Sequence, residues 1–172
     1  MEIDTPLTIK RLGEVVVGEL LILDLNDTPH LSVCLEKREG STDLKVGLLD
    51  GEHLEWPYIV TTRTFNQCGS YGTDWFVQLE PDEQSYPYRA AHFRDHYGTI
   101  VVASGGPLLL FGPQPRGEHN GGCVTLPNFT PASFENDGIP YKTWTIWRTK
   151  DAFDAGEEAP LRQIIGRRPA LR

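Results

Sequence analysis

Cysteine and methionine are scarce in this chain, which has three Cys and one Met among 172 residues. Three thiols are too few, and odd in number, for a disulfide framework, and they favour a reducing compartment. Apolar runs are also short. Residues 20–23 form one of the longest, whereas a membrane-spanning helix needs about 20 apolar residues. The first residues are acidic and lack the apolar segment of a signal peptide. These absences predict a soluble, cytoplasmic protein.

Positive charge is the minority, with 16 Lys and Arg against 24 Asp and Glu, which gives a formal net charge of −8. Nucleic acids and anionic membranes are bound mainly through clustered Lys and Arg. The charge balance therefore argues against both kinds of partner. It is compatible with a protein partner that offers a basic surface.

Turn residues are plentiful, with 17 Gly and 13 Pro, and strand patterns recur between them. Residues 31–36 and 44–48 alternate apolar and polar side chains, which is typical of strands with one solvated face. Turns are predicted at Asn26 and Asp27, at Asp50 and Gly51, and at residues 104–107. We predict a mainly β protein, an antiparallel β-sandwich or barrel of roughly nine or ten short strands. One domain is expected over residues 1–172.

The core is predicted from the apolar positions of these strands. Its members are Leu31, Val33, Leu35, Leu44, Val46, Leu48, Trp75, Val77, Ile100, Val102, Leu109, Trp144 and Ile146. One or two short helices complete the prediction. The first covers residues 87–97, with Pro87 at its start and Gly98 beyond its end. The second covers about 157–165, where acids precede Arg162, as the helix dipole prefers.

Histidines give the first candidate site. His92 and His96 are four residues apart with Asp95 between them, so a helix would place all three on one side. His119 follows in a Gly-rich segment. Imidazole nitrogens with an added carboxylate are suitable ligands for a divalent transition metal. The alternative is that these residues form the solvated face of the helix.

Two further segments carry potentially reactive side chains, a thiol and a carboxylate, but both are interpreted as parts of turns or loops without a catalytic role. Residues 66–72 predict a flexible, exposed loop around Cys68, and no partner that would activate its thiol can be named from the sequence. Glu80 lies near two other acids and is interpreted as part of a solvated turn, because sequence spacing does not fix the separation of carboxylates in space.

Residues 151–172 form an acidic and then basic carboxyl-terminal extension. Its basic part also carries aliphatic side chains, for which a purely solvated tail has no need. We predict that Ile164 and Ile165 are buried against protein, and that the segment crosses to another chain or seals one edge of the sheet. The predicted interaction residues are Leu161, Arg162, Ile164, Ile165, Arg167 and Arg168.

The functional hypothesis is a non-enzymatic binding or assembly protein that acts through its loops and carboxyl-terminal tail. Its expected partner is another protein or a second copy of itself, and no cofactor is expected. The alternative is a small metal-dependent or ligand-binding β-barrel enzyme, with its site near His92, His96 and His119.

Overall fold

A computed structural model describes residues 7–51, 56–64, 66–81, 97–114, 121–134, 138–156 and 159–166. Within these residues the chain forms fourteen β-strands, one α-helix and one 3-10 turn. The strands belong to three open sheets, and neighbouring strands in each sheet are antiparallel. The predicted mainly β fold is confirmed, as a sandwich of sheets and with more strands than expected.

The largest sheet has six strands. In spatial order they are β1 (Thr8–Arg11), β6 (Gln67–Gly72), β2 (Leu20–Asp24), β3 (Pro29–Lys37), β4 (Asp43–Gly51) and β5 (Tyr58–Arg63). A two-residue turn at Asn26 and Asp27 joins β2 to β3. Both residues have positive φ, 55° and 59°, which is the geometry of the tight hairpins that favour Asn and Asp. The turn predicted here is confirmed.

Two smaller sheets complete the fold. The five-stranded sheet has the order β11 (Pro131–Ala132), β10 (Gly122–Thr125), β9 (Gly106–Phe111), β8 (Ile100–Ala103) and β12 (Ile139–Tyr141). The three-stranded sheet has the order β14 (Arg162–Ile165), β13 (Thr143–Trp147) and β7 (Phe76–Glu80). Helix α1 (Lys150–Ala155) follows β13.

One hydrophobic core lies where the three sheets meet. We call it the inter-sheet cluster, and its buried members are Leu20, Leu31, Val33, Leu35, Leu49, Ile100, Leu109, Phe111, Val124, Phe129, Trp144, Ile146 and Ile164. Phe111 fits against β4 because residue 47 is glycine. A Cβ atom there would lie 2.5 Å from the Phe111 ring.

A second core lies on the opposite face of the six-stranded sheet. We call it the inner cluster, and it consists of Leu12, Val15, Leu21, Leu23, Cys34, Leu44, Val46, Leu48, Val60 and Cys68. All of these residues belong to the six-stranded sheet or to the segment that follows β1. Strands from both halves of the sheet share the cluster, so the sheet curves around it.

Ten of the thirteen predicted core residues are buried, and the other three, Trp75, Val77 and Val102, are half-buried. The solvated face predicted for residues 31–36 is wrong at Ser32 and Cys34, which are buried because the inner cluster covers that face. The predicted turn at residues 50 and 51 is also wrong, since β4 continues through both.

The helix predicted over about 157–165 is wrong, because residues 162–165 form β14 and gain their hydrogen bonds from β13. The helix lies earlier, where Thr149 caps its start by accepting from the Ala152 N–H (3.0 Å) and Gly156 ends it with φ of 65°. The helix predicted over residues 87–97 lies almost entirely outside the described residues.

Candidate interaction site

The residues of the metal hypothesis, His92, Asp95, His96 and His119, lie outside the described residues. Their proposed convergence therefore stays a prediction. In the part of the chain that the structure describes, no group of three or more His, Cys, Asp or Glu side chains is arranged to hold a metal ion.

The three thiols are buried and free. Cys68 lies within β6 with 4% of its surface exposed, so the predicted flexible loop around it is wrong. Burial raises the pKa of Cys34 to about 12 and that of Cys68 to about 11, and in both cases the nearby Glu19 carboxylate adds to the effect. Burial also raises the pKa of Cys123. All three are neutral thiols near neutral pH, and a neutral thiol is a poor nucleophile.

The carboxyl-terminal segment enters the fold as β14, the edge strand of the three-stranded sheet. It pairs with β13 over four residues, with Ile164 opposite Trp144 and Ile165 opposite Thr143. The end of the strand packs closely on residues 98–99, where a Cβ atom on Gly166 would lie 2.8 Å from the Thr99 hydroxyl. The segment therefore covers one edge of β13 and is itself the edge strand of the sheet among the described strands.

The two isoleucines have opposite environments. Ile164 points into the inter-sheet cluster and is 4% exposed, whereas Ile165 is 61% exposed on the outer face. The prediction that both are buried is correct for Ile164 and wrong for Ile165 in the single chain, because consecutive strand residues face opposite sides of a sheet.

The main chain of β14 also has two sides. The Gly166 N–H donates to the Lys142 carbonyl (2.7 Å), and hydrogen-bonding positions alternate along an antiparallel strand. The backbone groups of Arg162 and Ile164 therefore face β13, and those of Gln163 and Ile165 face away from it. Among the described strands none lies beyond β14 in this sheet.

Side chains of β14 anchor it to its neighbours. Arg162 forms an ion pair with Asp50 of β4, which links the small sheet to the six-stranded one. The Gln163 amide donates to both carboxylate oxygens of Glu80, at 3.1 and 3.0 Å. The Thr145 hydroxyl between them donates to the same carboxylate (2.5 Å). These contacts fix the strand's position, and none of the described strands pairs with its outer edge.

Sequence reasoning predicted an interaction segment here, which stays a prediction, and it missed the contacts with Asp50 and Glu80. Both were assigned to turns, and both lie in strands that reach β14 only through the assembled sheets. No local sequence signal marks such a contact. Leu161 is half-buried against the inter-sheet cluster, and Arg167 and Arg168 lie outside the described residues.

Comparisons with known proteins found no match. No protein-family model matches the chain. No curated protein matches it, and no solved structure does so either. Among the described residues, no helix has the length and apolar character that crossing a membrane requires.

Proposed function

We propose that this protein is a non-enzymatic, cytoplasmic assembly protein that pairs with a second copy of itself through the outer edge of β14. The observation that supports this most is the combination of a four-residue edge, beyond which no described strand lies, with the exposed side chain of Ile165. An exposed edge strand offers unpaired N–H and C=O groups as a template for another strand. The free thiols support a reducing compartment.

The proposed pairing is antiparallel and symmetric, as in most homodimers. Ile164 lies on the two-fold axis, so that Gln163 of each copy is opposite Ile165 of the other. Each such pair exchanges two main-chain hydrogen bonds. The result is a continuous six-stranded sheet built from two three-stranded ones.

Charge favours β14 over β1, the other four-residue edge with an exposed isoleucine. Two of the four β1 residues, Lys10 and Arg11, are basic, and such charges are one way in which edge strands avoid pairing with another chain. β14 has one basic residue, Arg162, and Asp50 neutralises it. In the symmetric register Arg162 lies opposite Gly166 of the other copy, which has no side chain to obstruct it.

The expected association is weak. Four main-chain hydrogen bonds contribute about 0.5–1.5 kcal/mol each, and burial of each Ile165 adds at most about 1.5–3 kcal/mol. These gains have to offset about 4–15 kcal/mol of lost translational and rotational freedom. We therefore expect a dimer that forms at micromolar or higher concentration, with a dissociation constant above about 1 μM.

Sedimentation equilibrium tests the proposal with a matched pair of variants. The wild-type mass is expected to rise with concentration from 19.3 kDa towards twice that value. Ile165→Lys places a charge in the proposed interface and should keep the protein monomeric. Ile9→Lys is the control, since Ile9 is 69% exposed and also lies in an edge strand, and it should dimerise like the wild type.

Two results would overturn the proposal. One is a wild-type mass that stays at 19.3 kDa at the highest concentration reached. The other is a dimer that survives Ile165→Lys but is lost in Ile9→Lys. Thermal melting of both variants checks their folding, and both should melt close to the wild type because exposed substitutions usually change stability by no more than about 0.5 kcal/mol.

A further inference from the structure

A cavity of about 390 Å³ lies beside the inter-sheet cluster. Its described walls come from the turn before β2, from β8 and β9, from the loop after β10, and from the segment around β7, where the lining residues are Thr73, Trp75, Phe76, Val77 and Leu79. Strands of two sheets therefore contribute to it, β7 from the three-stranded sheet and β8 and β9 from the five-stranded one. Val17 and Thr73 are exposed at its mouth, whereas Trp75, Val77 and Leu79 are half-buried along its wall.

The apolar side chains that line the cavity favour an uncharged ligand. Of the twelve described lining residues, none is charged and only Thr73 carries a hydroxyl. The one indole N–H, that of Trp75, already donates to the Gly18 carbonyl (2.7 Å). A charged or strongly polar molecule would lose its hydration here without finding partners.

The shape and size favour a flat aromatic molecule. Trp75 and Phe129 lie with ring centroids 5.8 Å apart, tilted by 32°, and Phe76 and two prolines also line the cavity. Aromatic faces and edges pack well against another ring. The volume is more than twice that of a cavity of about 150 Å³ that holds benzene, and it falls in the range of ordinary ligand sites.

The walls are held in place without any ligand. Gly18 has φ of 86°, and a Cβ atom on it would lie 3.2 Å from the Phe129 ring, so this position requires glycine for both reasons. The Phe129 N–H donates to the Thr125 carbonyl (2.8 Å), and the Leu126 N–H donates to the Pro107 carbonyl (2.8 Å). A site formed in advance loses less entropy when a ligand binds.

We propose that this cavity binds a small, uncharged, aromatic molecule of about two to three rings. Its described lining includes no residue of β14, so this site is independent of the proposed pairing between copies. The large apolar side chains that remain half-buried at its wall become covered when the ligand enters, which provides the driving force.

Fluorescence titration with N-phenyl-1-naphthylamine, an uncharged aromatic probe, tests the site. We expect saturable binding of one probe per chain. The anionic relative 1-anilinonaphthalene-8-sulfonate should bind at least about tenfold more weakly, since its sulfonate would be desolvated without a partner. Equal affinity for the two probes, or binding of the first that does not saturate, would overturn the proposal.

Matched variants locate the site. Val77→Phe fills the cavity and should weaken binding of the uncharged probe at least about tenfold. Ile59→Phe introduces the same residue into a second cavity, of about 280 Å³, and should change affinity by less than about twofold. Equal effects of the two variants would contradict the assignment.

Nuclear Overhauser contacts in the wild type provide a test that needs no variant, should Val77→Phe fail to fold. The bound probe is expected to contact the methyl groups of Val77, Leu79 and Ile100. Contacts confined to exposed residues such as Ile9 or Ile165 would overturn the proposal.

Discussion

The inner cluster and the inter-sheet cluster differ in how completely they are packed. None of the inner-cluster residues lines either of the two cavities described above, whereas Ile100, Leu35, Val124 and Phe129 of the inter-sheet cluster do. The inner cluster is bordered by buried polar side chains, among them Glu19 and His30. The inter-sheet cluster is bordered by open space.

The difference follows from how each core is assembled. The inner cluster forms within one sheet, in which β2 to β5 pair successively along the chain and only β1 and β6 pair with strands distant in sequence. The inter-sheet cluster requires three separately hydrogen-bonded sheets to meet, and their twisted surfaces do not match everywhere. Both of these cavities therefore border the inter-sheet cluster, and among the described residues neither is lined by the inner cluster.

The largest expected effect compares one leucine from each region. Leu48→Ala in the inner cluster should lower the free energy of unfolding by about 3–5 kcal/mol, because Leu48 is 1% exposed and its neighbours have little room to relax. Leu79→Ala beside the cavity should lower it by about 1–2 kcal/mol, because Leu79 is already half-buried and part of its surface faces open space.

Urea unfolding of the two variants under one set of conditions measures this difference. Equal losses of unfolding free energy in the two variants would show that protein side chains fill the cavity in solution. The two regions would then be packed alike. Addition of the uncharged probe sharpens the comparison, since it should stabilise the wild type and Leu48→Ala but have little effect on a variant whose cavity wall is altered.

The same contrast explains what the sequence could predict. Alternation within single strands identified Leu44, Val46 and Leu48 correctly, because local pattern alone decides which face they occupy. It placed Trp75 and Val77 in the core, but their degree of burial depends on how three sheets dock, which no local pattern encodes. The charge pattern predicted a helix over about 157–165, but pairing with β13 makes residues 162–165 a strand.

Glu19 gives the second prediction, because it is the buried carboxylate at one border of the inner cluster. Burial by itself raises the pKa of Glu19. Hydrogen bonds from Lys10 (2.6 Å), from Ser70 and from the Val16 N–H (2.9 Å) outweigh burial, so the net pKa lies below its usual value of 4.5. Glu19→Gln should lower the free energy of unfolding by about 1.5–3 kcal/mol at pH 7, as expected for hydrogen bonds to a charged group.

The pH dependence of that loss has a definite sign. The pKa of Glu19 is lower in the folded protein than in the unfolded chain, so the unfolded chain binds the proton first as the pH falls. The stabilisation by Glu19 is therefore present above pH 4.5 and is lost as the pH falls below it. The gap between wild type and Glu19→Gln should therefore narrow in acid. Glu36→Gln is the control, since Glu36 pairs with Lys45 and Arg38 at the surface and should cost less than about 1 kcal/mol.

His30 gives the smallest predicted effect and marks the other border of the inner cluster, opposite Leu23 in the β2–β3 pair. It is 7% exposed. Burial lowers its pKa below the usual 6.5, while a hydrogen bond to the main chain of Asp50 and the charges of Asp50 and Asp24 partly oppose this. Its Nδ1 atom has no hydrogen-bond partner among the described residues. At pH 7, above the usual pKa of 6.5, the folded protein therefore favours the neutral imidazole.

Between the two pKa values the unfolded chain binds a proton that the folded chain does not, so stability rises with pH in that window. The stabilisation is complete above pH 6.5 and decreases as the pH falls below it. We expect the wild-type melting temperature to fall between about pH 7.5 and pH 5.5, and His30→Gln to reduce that slope. If the melting temperature varies with pH equally in both proteins, other groups cause that dependence. His30 would then accept a proton in the folded state about as readily as in the unfolded chain. In that case the inner cluster would admit water at this border, and its contrast with the inter-sheet cluster would be limited to the region around Leu44, Val46 and Leu48.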